Sequence, residues 1–600
     1  MTEPITYTVS MMRANAHYMD VTMELKVPDT RGELRLAMPV WTPGHYLVSD
    51  FARNVDRVTA FDSATGGELK VQKLEKSLWR LETLGAERVR ISYPVYAFAY
   101  SVSDSYIDDQ HALINGASVF LYLDGMKDVP ARLKLEPLPG WKAVSTGLVR
   151  TSEWEFEAPD YDVLVDSPVE VGNQEVERFR TADAEYEVSM SGAPLVDRKR
   201  FVEDIRKIVQ TTEQVFGQVP YKRYVFLVNF TDAARGGLEH LNSTMCLLQR
   251  FRMVPAEEYH QAMGLFSHEF FHAWNVKRMR PLGLGPFDYS KEVYTKSLWI
   301  AEGVTSYYDD LILRRAGIYT VEEYLDAFSD NVNVLKSLPG SRHQSAEEAS
   351  FDTWTKYYKP NENSPNVTSS YYNQGAVIGW MLDMVLRDVG RGTLDDVMKR
   401  VYSETFLQKG AGYADEEFER ASVALGGAGA EEVFDSRVRG MEEVDFDRYL
   451  RYAGLRLEAK ATPSETKGFL GVRLSSEGGR TLVKGCLAGS PAESMGLSVN
   501  DEVIGLNGLR VGQEKVSFYV GVAQPGEDVR LTVARNGRIA ELRGRVGTRP
   551  PLEWRVQPLQ GATERQKTLF KGWMLADWKA ELKYPEYTRS PDRRAVLDYV

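Results

Sequence analysis

The residues best equipped for chemistry are Ser267-His268-Glu269-Phe270-Phe271-His272. Positions i and i+4 of a helix share a face, so the imidazoles of His268 and His272 can converge on one ion. Glu269 stands beside the first of them, where its carboxylate can reach a metal-bound water and act as general base. Catalytic zinc takes three protein ligands and keeps one position open. Glu302 offers the third. It lies in the helical pattern 298–308 among apolar residues, where a lone carboxylate is costly to bury unless paired or metal-bound. Two crossing helices, one giving two histidines and one a glutamate, would hold one Zn2+ per chain. The plainer alternatives are a buried helix with two incidental histidines, and a surface glutamate.

These residues need elements to position them. Pro255 suits a first helical turn and 256–274 contains no further proline, so the His-Glu-x-x-His segment reads as one helix. Residues 197–217 read as another helix and 224–230 as a compact apolar strand. Thr320-Val321-Glu322-Glu323 has capping-box spacing, with Gly317 just before it suiting a helix C-terminus. Residues 381–389 read as a helix ended by Gly390. Upstream, short segments at 7–10, 19–27 and 89–93 alternate in part, punctuated by Pro43-Gly44, Gly66-Gly67 and Pro139-Gly140. No βαβ pattern occurs there, which predicts a sandwich of antiparallel strands. Downstream, short strands return at 469–474, 480–483, 502–506 and 529–533, separated by Ser490-Pro491-Ala492-Glu493 and Asn500-Asp501-Glu502. A helical pattern follows at 563–582. The expectation is a multidomain α+β chain: an N-terminal antiparallel β domain over 1–170, a largely helical domain over 171–460, a small β-rich module over 461–548 and a tail over 549–600.

Six hundred residues exceed what one hydrophobic core supports. A net charge of −12 disfavours nucleic acid and anionic membranes as partners. No run is long and apolar enough to span a membrane as a helix. Cys246 and Cys486 alone cannot make a disulfide framework. The start lacks the basic and apolar regions of a signal peptide. That reads as cytoplasmic, or periplasmic if a signal has been removed.

His-Glu-x-x-His followed by a helix with Glu-Gly resembles the gluzincin peptidases of thermolysin-like fold. More closely, Phe270-Phe271-His272-Ala273-Trp274-Asn275-Val276-Lys277-Arg278, Gly285-Pro286-Phe287-Asp288-Tyr289 and Glu302-Gly303-Val304-Thr305-Ser306-Tyr307-Tyr308 resemble the bacterial glycyl aminopeptidase family. Trp41-Thr42-Pro43-Gly44 and Asp50-Phe51-Ala52-Arg53-Asn54 resemble its N-terminal β domain. The resemblance implies a zinc aminopeptidase preferring small N-terminal residues such as Gly or Ala, with a PDZ domain after the catalytic domain. The 30 positions from His272 to Glu302 exceed the usual gap in the broader aminopeptidases, so 277–291 must loop out. Gly236-Gly237-Leu238-Glu239-His240 resembles the Gly-x-Met-Glu-Asn exopeptidase motif. That implies an edge strand open to a peptide backbone, with Glu239 holding the substrate's free ammonium; His240 replaces the usual Asn. Tyr371-Tyr372-Asn373-Gln374-Gly375 resembles the Tyr-x-Lys-Gly motif, whose tyrosine donates to the oxyanion. Alignment on Gly375 selects Tyr372, Tyr371 is the alternative, and Gln374 departs from the Lys. Gly468-Phe469-Leu470-Gly471 resembles the carboxylate-binding loop of PDZ domains, implying a peptide ligand there.

The implied partners are therefore peptides with a free N-terminus, with no nucleic acid and no membrane. The nearest rival enzyme is a gluzincin endopeptidase, which would accept acetylated N-termini. A rival of another class is a PDZ scaffold with a dead peptidase domain, against which the intact His268, Glu269, His272 and Glu302 count.

Overall fold

A computed structural model describes residues 3–28, 32–459, 468–548, 553–584 and 599–600. The expected boundaries at 460–461 and 549 lie outside the described residues. The chain divides into two compact units, Met1–Thr295 with Met398–Asp415, and Lys296–Val397 with Glu416–Val600.

The first unit begins with an eight-stranded sheet and two four-stranded sheets. Along Ile5–Arg13, Ile5, Tyr7, Val9 and Met11 alternate inward, the period-two pattern of a strand with one buried face. Not every pair is antiparallel, as the sequence had suggested: Ile5–Arg13 runs parallel to Ala131–Glu136. More than a hundred residues of intervening sheet allow that pairing, which a hairpin does not.

A further, five-stranded sheet follows, built from β1 (Glu175–Arg180), β2 (Glu185–Ser191), β3 (Arg223–Thr231), β4 (Gly236–His240) and β5 (Ser243–Gln249), in the order β1-β2-β3-β5-β4. The region expected to be largely helical thus rests on a sheet. Helix α1 (Arg198–Phe216) crosses from β2 to the parallel β3, capped by Asp197 at its start and by Gly217 in left-handed conformation at its end. Helix α2 (Ala256–Phe271) lies against both. Phe266 meets Phe201 of α1, and Phe270 packs on Tyr224 and Phe226 of β3. His268 and His272 are each two residues on from these anchors, about 200° around the helix, so burying the phenylalanines turns the histidines the other way.

In the second unit a π-helical turn (Trp299–Val304) runs into α3 (Thr305–Arg315). Helix α4 (Val321–Ser337) starts with the expected Thr320–Glu323 capping box. Helix α5 (Tyr371–Val389) is capped by Ser370 and ended by Gly390. Residues 468–548 form a compact β-rich body with its own core of Leu470, Val472, Val483, Val516, Val529 and neighbours. Its strands include β6 (Gly468–Phe469), β7 (Val472–Glu477) and β8 (Arg480–Cys486), with helix α6 (Gln513–Val522) alongside; β7 is an edge strand. The last helix among the described residues spans Glu564–Met574 and stops short of 582, because Leu575 takes a left-handed conformation.

Candidate metal and substrate site

The two histidine rings of α2 lie 4.7 Å apart, centroid to centroid. Nδ1 of His272 is 2.6 Å from the carbonyl oxygen of Asn275. A carbonyl only accepts, so Nδ1 carries the proton and Nε2 keeps its lone pair. That is the orientation a ligating imidazole needs. Asn275 belongs to the tight turns that follow α2, so the chain reversal after the helix itself sets the tautomer. A divalent metal therefore fits the donor set of α2.

Beside α2 runs β4, the edge strand that the Gly-Gly pair suggested. Gly237 lies so close to Glu269 that a Cβ there would collide with its carboxylate. Side-chain ligand atoms of Glu239, Glu269 and His272 fall within 4.8 Å of one another. Glu239 is 4% exposed, and its Oε1 is buried with no hydrogen-bond partner among the described residues. A loop of the N-terminal sheets closes over it: a Cβ on Gly44 (φ +93°) would stand 2.6 Å from Glu239 Oε1. Trp41, Tyr46, Leu284 and Phe287 help wall a cavity of about 20 Å³ next to Glu239. That loop is tied down because Trp41 Nε1 donates to the Asp288 carbonyl and Val40 N–H to that of Tyr289.

The position where His240 stands is now explained. Its Nδ1 is 3.0 Å from Asp166, whose carboxylate also accepts from Lys277 at 2.8 Å and from the Leu241 N–H. Burial pushes the Asp166 carboxyl up, but Lys277 and His240 outweigh it and hold it below the usual carboxylate range. Arg278 donates to the carbonyl of Leu241 and to the side chain of Asn242. The residues just after the second histidine thus clamp the end of β4 to the end of α2. Cys246, opposite Gly237 on β5, is fully buried, and burial and then Glu269 push its thiol well up.

In the second unit Glu302 sits in the π-helical turn and is 2% exposed. Gly303 beside it touches Gly375 of α5 backbone to backbone; a Cβ on Gly375 would lie 2.7 Å from Gly303 Cα. Tyr371 and Tyr372 open α5 with stacked rings, 4.8 Å apart. Tyr371 shares a 2.9 Å hydrogen bond with Thr353 Oγ1. The Tyr372 phenol is pushed well above its ordinary range by burial and then by Glu302, which keeps it a proton donor. Gln374, in place of the motif's Lys, is buried and donates to the Gln344 carbonyl and Ser369 Oγ.

Comparison with known proteins matches residues 6–173 to the peptidase M61 N-terminal domain and residues 261–378 to the M61 glycyl aminopeptidase domain. The chain belongs to the M61 peptidase family. A solved structure of an aminopeptidase N family protein from Idiomarina loihiensis is 29% identical, with a TM-score of 0.88 over 95% of this chain and all of that one. An M1 zinc metallopeptidase from Deinococcus radiodurans, 12% identical, has a TM-score of 0.45 over 74% of this chain and 95% of that one. Yeast LTA4 hydrolase in complex with bestatin, 15% identical, has a TM-score of 0.44 over 75% and 67%. No curated protein matches.

In this M61 metallopeptidase, Gly44, Asp166, Lys277 and Asn275 shape the surroundings of α2 and β4, yet no spacing in the sequence pointed to their roles. The loop Gly468–Gly471 lies at the start of the C-terminal β-rich body. Gly471 has a positive φ of 74°, and the N–H groups of Leu470, Gly471 and Val472 converge on the carbonyl oxygen of Val600 at 3.0, 2.7 and 3.3 Å.

Proposed function

We propose that this M61 metallopeptidase is a zinc aminopeptidase that removes small N-terminal residues, Gly or Ala, from peptides. The observation that carries the reading is Glu239: a buried carboxylate with one oxygen lacking a hydrogen-bond partner among the described residues, beside Glu269, on the wall of a space of about 20 Å³. A substrate's N-terminal ammonium satisfies that oxygen through a charge-assisted hydrogen bond. The space holds roughly one methyl-sized group, which suits Gly and Ala and turns away bulkier side chains.

His268, His272 and Glu302 are the proposed ligands of one zinc. When bound, the ion supplies Lewis-acid polarisation of the scissile carbonyl and makes water more acidic. Glu269 takes the proton of the attacking water and passes it to the leaving amine. Tyr372 donates to the developing oxyanion; Tyr371 is already committed to Thr353. The edge of β4 at Gly236-Gly237 offers backbone groups to the peptide, and the glycines let it approach. The domain layout proposed is 1–170, 171–460 and 461–548, with the last a PDZ domain that binds peptides, followed by the 549–600 tail.

The test is a panel of free and N-acetylated Gly, Ala and Leu anilides. The reading predicts cleavage of free Gly and Ala substrates only. Equal cleavage of acetylated ones would make the enzyme an endopeptidase.

A further inference from the structure

The edge strand β7 is covered by a segment of the chain itself. Tyr599 bridges Arg473 in antiparallel fashion. The Val600 N–H donates to the Val472 carbonyl at 2.9 Å, and the Val600 carbonyl oxygen accepts three N–H groups from Leu470, Gly471 and Val472. The Val600 side chain packs on the core of the β-rich body, whose members include Val516 of α6. Tyr599 is 3% exposed and lies over Gly485 of β8, where a Cβ would stand 3.1 Å from its hydroxyl. The Arg473 guanidinium stands 6.0 Å from the centre of the same ring.

Each feature is one that recognition of a peptide end requires. Strand addition supplies backbone hydrogen bonds, an apolar seat takes the last side chain, and converging N–H groups favour a negatively charged oxygen. We infer that Tyr599–Val600 is an intramolecular ligand of this groove, and that the converging N–H groups and the apolar seat suit peptides that end in an apolar residue with a free carboxylate. The inference rests on the PDZ reading of 461–548 and adds its ligand and its self-occupied state. A tethered segment stands at a high effective concentration, so it excludes a competitor of equal intrinsic affinity.

The experiment is fluorescence polarisation with a labelled peptide Leu-Asp-Tyr-Val, as free acid and as C-terminal amide. It compares the full chain, a chain lacking Tyr599 and Val600, and full-length Val600→Lys, which keeps the backbone but puts a charge into the apolar seat. Circular dichroism establishes that each is folded. The shortened chain and Val600→Lys should bind the acid at least roughly tenfold more tightly than the full chain, and the amide at least roughly tenfold more weakly than the acid. Equal binding of the acid by full and opened chains would overturn the self-occupied state while leaving the PDZ reading intact. No binding by either folded, opened chain would overturn the PDZ reading itself. Equal binding of acid and amide would overturn the carboxylate as the recognised group.

Discussion

Gly44 and Glu239 are 195 positions apart in sequence, yet a Cβ on Gly44 would stand 2.6 Å from one carboxylate oxygen of Glu239 and 2.7 Å from the other. One loop of the N-terminal sheets therefore lines the same cavity as Glu239. A left-handed φ of 93° and this contact both demand glycine. Gly44→Ala should lower kcat/KM on free Gly anilide by about 10- to 100-fold, because it displaces the carboxylate by about 1 Å. Steady-state kinetics measure this, and an unchanged kcat/KM would remove Gly44 from the pocket.

The metal proposal predicts opposite zinc contents for variants of Glu269 and His272. Glu269→Gln should retain about one zinc per chain and lose several orders of magnitude in kcat. His272→Ala should lose both zinc and activity. Metal analysis of each purified variant checks this; stoichiometric zinc in His272→Ala would refute the ligand assignment.

The two tyrosines at the start of α5 separate by partner. Tyr371 is held by Thr353, whereas Tyr372 is the residue that the motif alignment on Gly375 selects as donor. Tyr372→Phe should lower kcat by about 10²- to 10³-fold with little change in KM. Tyr371→Phe should chiefly lower the melting temperature. The reverse pattern in kinetics and thermal melts would exchange their roles.

Legibility in the sequence followed locality. The α2 helix, the capping box at Thr320 and the β4 edge strand all rest on signals within a few residues, although α2 ends at Phe271 rather than 274. Helix α5 begins at Tyr371, well before the 381–389 pattern, because Gly375 and Gly379 weaken the local helix signal while packing against Gly303 and Tyr307 favours them there. The π-helical turn around Glu302 did not show, because it accompanies a backbone contact between Gly303 and Gly375 that no window of sequence contains. The Asp166 hub joins residues 74 and 111 positions away, so His240 looked like a mere departure from a motif. The parallel pairing of the first strand was hidden for the same reason.

A buried ion pair in the second unit sets an acid limit on stability. Burial pushes the Asp383 carboxyl up, but Arg387 at 2.9 Å, the Leu394 N–H and the Tyr307 hydroxyl outweigh it and hold it low. A carboxyl depressed in the folded state contributes stability that is present above its unfolded pKa, about 3.9, and is lost as pH falls through the lower folded value. Asp383→Ala should cost about 3–5 kcal/mol at pH 7. It should also flatten the acid limb of a urea-stability curve recorded from pH 7 to 3. A variant with the parent's acid limb would contradict this.

The central claim is that Glu239 holds a free N-terminus, and one comparison tests it most directly: kcat/KM of the parent and of Glu239→Gln on free and N-acetylated Gly anilide. Losing the charge-assisted contact should cost about 2–4 kcal/mol, roughly 30- to 1000-fold, on the free substrate. The melting temperature should not fall, because the oxygen removed has no hydrogen-bond partner among the described residues. The acetylated substrate should be poor for both. Equal rates on the two substrates, with Glu239→Gln as active as the parent, would contradict the account.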